Sequence, residues 1–250
     1  MSDLTLSRRD EALLREKFPD SDGYEKALAR LKNHEPLAYV LGEWYFYNET
    51  YKLTPDCLIP RPDTEHVVDE LIRLLPENGF FADLCTGSGC IAISTLASRP
   101  DARAFACDIS SGALKTAREN AVLNGVFDRI EFETLDVCGG GLKNGVTFDI
   151  IASNPPYIDS GVIPSLEPEL AFEPRAALDG GPDGMRFYRA ILSGFAKNLA
   201  PGGAFVLEIG YDQAEKMRAL CCELFGGSFS LRIVKDYGGR DRVAVVCPNS

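Results

Sequence analysis

From residue 80 onward, short apolar runs alternate with stretches in which apolar residues recur every three or four positions. Glycine, proline or small polar clusters separate them. That alternation predicts strands joined by helical crossovers, and so an α/β fold with a mostly parallel sheet. Strands are expected at 80–85, 104–108, 130–135, 148–153, 204–209, 229–234 and 242–247. Helices are expected at 91–98, from a Ser110 cap to 123, at 185–199 with Pro201-Gly202-Gly203 as terminator, and after 209 through 224. Only residues 235–241 separate the last two strands, too few for a helical crossover, so these two should be antiparallel neighbours.

Ahead of residue 80 the pattern changes. Residues 4–41 read as helical, with Leu13, Leu14 and Phe18, then Ala27, Leu28 and Leu31, at helical spacing and a break at 19–23. Residues 42–54 read as a β-hairpin turning around Asn48 and Glu49. Pro60-Arg61-Pro62-Asp63-Thr64-Glu65 then opens a helix with Leu71, Leu74 and Leu75 on its apolar face. Pro62 suits the first turn, and Asp63 and Glu65 complement the helix dipole. The expected organisation is a short helical region at 1–41, a hairpin linker at 42–58 and an α/β domain at 59–250.

Composition narrows the function classes. The 250 residues are 45% hydrophobic and 25% charged, the balance of an ordinary soluble globular protein. No apolar run approaches the roughly 20 residues that span a bilayer. The stretch from Met1 to Arg9 lacks the apolar centre of a secretory signal, so the reading is cytoplasmic. A net charge of −11, with no basic run beyond Arg8-Arg9, weighs against direct nucleic-acid binding. Eight cysteines include no C-x-x-C pair, and His34 and His66 are the only histidines, so no metal site is expected. Cys85, Cys107 and Cys247 sit in or beside strand runs and read as packed thiols.

Two segments carry candidate chemistry. Asn154-Pro155-Pro156-Tyr157 follows the apolar run 148–153, and proline cannot continue a sheet ladder, so these four residues mark the carboxyl end of a central strand. Ligands bind at that edge of open α/β sheets. An Asn side chain, carbonyls stiffened by two prolines and an aromatic face can accept both N–H bonds of a planar NH2 group and hold its plane. Asn154, Pro155 and Tyr157 are therefore the candidate catalytic residues, with Pro156 and Arg61 beside the substrate.

The second segment, Asp83-Leu84-Cys85-Thr86-Gly87-Ser88-Gly89, joins the first strand of the α/β region to a helix. Its glycines permit a tight turn and close approach of a ligand. Asp108 ends the next strand, where a carboxylate accepts from both hydroxyls of a ribose. A nicotinamide enzyme would place a pyrophosphate at this loop. Asp83 argues instead for a methionine-type ammonium there, because its carboxylate would repel phosphate. Asp136 could accept from an adenine amino group, with Val137 packing on the ring. The candidate cofactor set is thus Asp83, Cys85, Thr86, Gly87, Ser88, Gly89, Asp108, Asp136, Val137 and Asn154.

Taken together, these residues resemble the class I S-adenosylmethionine (SAM)-dependent methyltransferases. More narrowly, they resemble the release-factor glutamine methyltransferases, the HemK/PrmC family. The resemblance runs through Glu35-Pro36-Leu37-Ala38-Tyr39, Ile59-Pro60-Arg61-Pro62-Asp63-Thr64-Glu65, residues 83–89, residues 154–158, Phe172-Glu173-Pro174-Arg175, residues 177–184 and Asp236-Tyr237-Gly238. It implies a helical substrate-docking region, a hairpin linker and a Rossmann-like seven-stranded domain with one antiparallel strand. It implies SAM as cofactor and, as substrate, the glutamine of the Gly-Gly-Gln segment of peptide chain release factors, methylated on its side-chain nitrogen. A monomer is expected. On this resemblance residues 85–89 form the cofactor loop, Asp108 holds the ribose, Val137 neighbours the adenine, and residues 154–157 receive the glutamine. Two departures stand out: Cys85 replaces the family's usual glycine, and the helical region before Ile59 is shorter than the family's bundle.

Arg61 and Glu65 are expected at the rim of the site, as a functional pair or as a surface ion pair. Glu173 and Arg175 are expected to brace the loop after Tyr157. Two other readings stay open from the residues: an adenine N6 amino-methyltransferase acting on nucleic acid, whose flipped base the same tetrapeptide could hold, and a SAM- or partner-binding module without turnover.

Overall fold

The protein's structure, a computed structural model, describes residues 6–142 and 145–248. The expected start of the helical region at residue 4 lies outside the described residues. Three short helices, α1 (Arg8–Lys17), α2 (Ser21–Lys32) and α3 (Leu37–Leu41), bury Leu14, Ala27, Leu31, Val40 and Leu41 in a small core of their own. Ser7 and Asp20 cap the first two by accepting from the backbone N–H three residues on. Because Asp20 is a cap, α2 begins at Ser21, inside the stretch 19–23 that reads as a break.

The hairpin β1 (Glu43–Phe46) and β2 (Glu49–Lys52) turns at Tyr47 and Asn48, one residue earlier than expected, with Tyr47 in the left-handed region at φ 57°. Two buried side chains fasten it to the rest of the protein. Tyr51 donates to Ser94 or accepts from it across 2.7 Å, and also reaches the Cys90 carbonyl. Asn120, fully buried, accepts from Lys52 N at 2.8 Å and donates to the carbonyls of Lys52 and Ser88 at 3.1 and 2.9 Å. One amide thereby joins the hairpin to the loop after the next strand.

A 3-10 turn at Pro62–Thr64 leads into α4 (Glu65–Leu74). The sheet then builds as β3 (Phe80–Leu84), α5 (Cys90–Ser98), β4 (Arg103–Asp108), α6 (Ser111–Leu123), β5 (Ile130–Thr134) and β6 (Phe148–Ser153). It continues with α7 (Arg186–Gly194), β7 (Leu199–Glu208), α8 (Ala214–Phe225), β8 (Phe229–Lys235) and β9 (Asp241–Pro248). The spatial order is β5-β4-β3-β6-β7-β9-β8. All neighbours are parallel except β9, which runs antiparallel to both β7 and β8, as the short connection between the last two strands requires. Val68, Leu71, Ile91 and Leu96 of α4 and α5 pack on one face, and Tyr188, Ile191, Leu192 and Met217 of α7 and α8 on the other. Both faces being covered, the central strands bury side chains on both sides instead of alternating buried with exposed.

One expected helix is shorter. α7 stops at Gly194, a 3-10 turn at Ala196–Asn198 follows, and Leu199 already pairs with Phe148 as the start of β7. Buried Asn198 causes the early stop, donating to the carbonyls of Leu142 and Val146. Pro201 is tolerated in β7 because the register shifts there.

Strand order reverses between β3 and β6, so the crevice at their carboxyl ends is where this architecture binds ligands. Replacing Asn120 by Ala is expected to leave Lys52 and Ser88 backbone groups without partners. The loss should be about 2–4 kcal/mol of stability, read as a lower urea midpoint at unchanged slope.

Candidate active site

Past Leu84 the chain turns sharply. Cys85 adopts φ 58° and Gly87 φ 56°. No atom lies within 4 Å of where a Gly87 side chain would project, so this residue bares its backbone to open space. Its N–H donates to Asp108 Oδ2 at 2.9 Å, while Ser110 N donates to Oδ1 at 2.9 Å. Each Asp108 oxygen keeps a lone pair, and burial pushes its carboxyl above the usual range. Asp108, at the tip of β4, is thus tied to the loop of β3 and faces the same crevice.

That crevice is a cavity of about 760 Å³. Of the expected cofactor set, Cys85, Thr86, Gly87, Ser88, Asp108, Asp136, Val137 and Asn154 line it. Two members differ. Asp83 is fully buried behind the loop, where Oδ2 accepts from the Thr86 hydroxyl at 2.6 Å and from Ala92 N at 3.2 Å. Its Oδ1 has no hydrogen-bond partner among the described residues, and desolvation pushes its carboxyl up to about 7. Gly89 also lies off the wall. Added atoms there would meet Ile93 at 2.9 Å and Ala117 at 3.2 Å, so its smallness serves packing of α5 against α6. Asp136 uses one oxygen to cap its own turn, accepting from Cys138 N at 2.9 Å.

A second cavity of about 200 Å³ adjoins the first. Arg61, Pro155, Tyr157 and Glu208 line it, and Leu58, Asn154 and Ala177 belong to both walls. Pro156 faces the larger space instead, since successive residues of an extended segment point to opposite sides. Asn154 Nδ2 donates to Thr64 Oγ1 at 3.0 Å, and Thr64 donates to Glu208 Oε2 at 2.6 Å. The Tyr157 hydroxyl donates to Glu208 Oε1 at 3.2 Å. Burial pushes the Tyr157 phenol up, with the Glu208 charge adding to it. Glu208 is 1% exposed, and desolvation pushes its carboxyl up to about 7 against the opposing hydrogen bond from Thr64 and the charge of Arg242.

The segment at 178–184 supports the tetrapeptide from outside. Ile158 N donates to the Leu178 carbonyl at 3.0 Å, and Gly180 N returns to the Ile158 carbonyl at 2.8 Å. A side chain on Gly180 would fall 2.7 Å from the Tyr157 backbone, so only glycine permits this approach. Arg175 bonds Asp179 in this segment and so does brace the loop after Tyr157. Glu173, in the same loop, braces it too: it is buried, pairs with the Arg61 guanidinium, and accepts from Ile59 N at 3.0 Å, tying the loop to the proline-arginine-proline segment beside the small cavity. Glu65 turns to the hairpin, accepting from Tyr47 N at 3.1 Å, and forms no pair with Arg61.

Thr64 and Glu208 were missed by sequence reasoning. The signal for Glu208 was an acid near the carboxyl end of an otherwise apolar strand run, which calls for a buried partner. Thr64 lay in plain view between Asp63 and Glu65 but reads there as part of a helix start. Among the described residues no group of three His, Cys, Asp or Glu side chains could hold a metal ion.

Comparison with known proteins adds relatives to this geometry. A family model described as "Methyltransferase small domain" matches residues 65–177. A release factor glutamine methyltransferase from Neisseria gonorrhoeae is 40% identical over 232 residues, 92% of this chain and 84% of the relative. One from Moorella thermoacetica is 40% identical over 242 residues, 96% and 84% of the two chains. A methyltransferase from Pyrococcus furiosus, 18% identical, superposes with a TM-score of 0.61 over 90% of this chain and 99% of its own, a likeness of fold.

Asp83 and Glu208 make a prediction about stability. Both carboxyls titrate near 7 when folded and in the ordinary range when unfolded. Their contribution is fully present below the unfolded values and is lost as pH rises through about 7. The depressed carboxyls of Asp101 and Asp183 matter only at lower pH. The ligand-free protein is therefore expected to be more stable at pH 6 than at pH 8, by on the order of a few kcal/mol, measured by urea denaturation at the two values.

Proposed function

The chain belongs to the release factor glutamine methyltransferase family, and from that premise we propose that it methylates the side-chain nitrogen of the glutamine in the Gly-Gly-Gln segment of peptide chain release factors, using SAM. The observation that carries this reading is Asn154 on the shared wall of a large and a small cavity. One space suits a nucleoside-sized cofactor and the other an amide-tipped side chain.

The residues of the large cavity fit SAM. The spare lone pairs of Asp108 would take the ribose hydroxyls. Val137 would pack on the adenine with Asp136 at its amino edge, and residues 85–88 would follow the amino-acid end. Asp83 supports that loop from behind, and its unpartnered Oδ1 leaves an acceptor beneath it. Cys85 takes the left-handed conformation that a glycine would take, so the loop keeps the glycine's path and gains a thiol. This favours a working cofactor site over a module without turnover. When bound, SAM supplies a methyl carbon made electrophilic by its sulfonium charge.

The protein's own residues then have to overcome the weak nucleophilicity of an amide, whose nitrogen lone pair is delocalised into the carbonyl. Asn154 Oδ1 and the Pro155 carbonyl would accept the two glutamine N–H bonds and turn the out-of-plane density of nitrogen toward the shared wall. Tyr157, its hydroxyl held by Glu208, would flank the amide plane. Arg61 borders the same space, and Leu58, Leu170 and Ala177 give it an apolar wall. Orientation supplies most of the acceleration; the nitrogen keeps its two protons through transfer and loses one to water afterwards, because N-methylation makes it strongly acidic, so no side chain is assigned as acid or base. The same reading has the protein act as a monomer in the cytoplasm. Among the described residues no helix is long and apolar enough to cross a membrane.

Three measurements test the reading. Radioactive SAM should label purified release factors and leave DNA and RNA unlabelled; label confined to nucleic acid would overturn the assignment. Asn154→Ala should lower transfer by roughly 10²–10³-fold while calorimetric affinity for SAM stays near the parent's. Asp108→Ala should instead weaken SAM binding, and an unchanged affinity would remove Asp108 from the ribose.

A further inference from the structure

We infer that ionised Glu208, acting through Thr64, is the positioning residue that dictates which face of the Asn154 amide meets the substrate. The two ends of an Asn amide differ little in shape, and a half-turn exchanges an acceptor for a donor. In the structure Nδ2 faces Thr64. Thr64 has a single hydroxyl hydrogen, and it is spent on Glu208 Oε2 at 2.6 Å. A carboxylate has no hydrogen to return. Thr64 therefore offers Asn154 lone pairs alone, takes its N–H at 3.0 Å, and leaves Oδ1 turned away from Thr64. Tyr157 commits its hydrogen to the other carboxylate oxygen. One buried charge thus orients both side chains that the proposed function places against the glutamine amide, and the consequence for transfer rests on that reading.

The charge is open to reversal. Arg242 on β9 favours it, itself held by Asp63 at 3.2 Å and Asp236 at 3.1 Å. Asp63 and burial oppose it, Tyr157 supports it as a donor, and the Cys90 thiol of α5 feels its field. Opposed in this way, the carboxyl titrates at about 7. Once protonated, Glu208 can donate to Thr64, the threonine hydrogen is freed to point at Asn154, and the amide is satisfied either way round. An NH2 turned into the small cavity would face the substrate's own N–H donors and block the grip.

The test begins with the free protein, labelled with ¹⁵N-asparagine, the Asn154 signal being identified by its loss in Asn154→Ala. Its side-chain NH2 resonances are expected to titrate between about pH 5.5 and 8.5 and to stop doing so in Thr64→Val, which keeps the shape without the hydroxyl, and in Glu208→Gln. Thr64→Ser, which keeps the hydroxyl, should keep the titration. In release-factor methylation, the parent's kcat should rise with pH over the same range. Thr64→Val and Glu208→Gln should lose that limb and fall at least about tenfold in kcat, with KM for SAM little changed; a merely structural role would move stability and SAM affinity and spare the pH profile. Asn154 resonances indifferent to pH in the parent, or a Glu208→Gln variant with the parent's kcat, would overturn the inference. If the resonances behave as expected while the parent fails to label release factors, the glutamine reading falls and the role of Glu208 stands.

Discussion

The parallel pairing of β3 with β6, with Leu84 opposite Ser153, is the constraint on which everything else rests. It brings two loop starts, Cys85 and Asn154, to the same edge of the sheet, and the Ser153 hydroxyl locks them there by donating to the Leu84 carbonyl at 2.6 Å. Because strand order reverses at this pair, the helices that follow leave on opposite faces and the crevice between the two loops stays open. The large and the small cavity can share a wall only because their loops start side by side.

The surrounding structure is an accounting of hydrogen bonds made in favour of that edge. Thr86 N donates to the Cys107 carbonyl at 2.9 Å and Gly87 N to Asp108, so the turn is held by its neighbour strand as well as by its own bonds. Cys85 bears a left-handed backbone at a cost of about 1–2 kcal/mol, acceptable only where such bonds over-determine the path. Two carboxyls, Asp83 and Glu208, are withdrawn from water to hold side chains in place, and each resists ionisation for that reason. Stability at neutral pH is thus lowered in exchange for order at the site.

The hairpin and the proline-arginine-proline segment serve the same edge from the other side. Tyr51 and Asn120 bind the hairpin to α5 and α6, and through Ser88 to the glycine loop after β3. Glu173 binds the proline-arginine-proline segment and so presents Arg61 and Leu58 to the small cavity. The walls of the site therefore come from parts of the chain that share no local pattern.

Local pattern alone was enough for much of this protein. The seven strand runs, the antiparallel ending and the two loops at 83–89 and 154–157 follow from periodicity, proline chemistry and short connections, all of which act between residues near in sequence. Where a distant group intervened, the pattern misled: Asn198 reached the carbonyls of Leu142 and Val146 and cut α7 short. Asp83 bonds to nearby Thr86 and Ala92, but only the folded loop over it shows that it lies behind the cavity wall. Thr64 and Glu208 lie 144 residues apart, and their bond to each other was invisible until the sheet brought them together. Sequence determined which residues could accept, donate or turn. Tertiary structure alone decided which acceptor met which donor, because hydrogen bonds act over about 3 Å and only the folded sheet brings such distant residues that close.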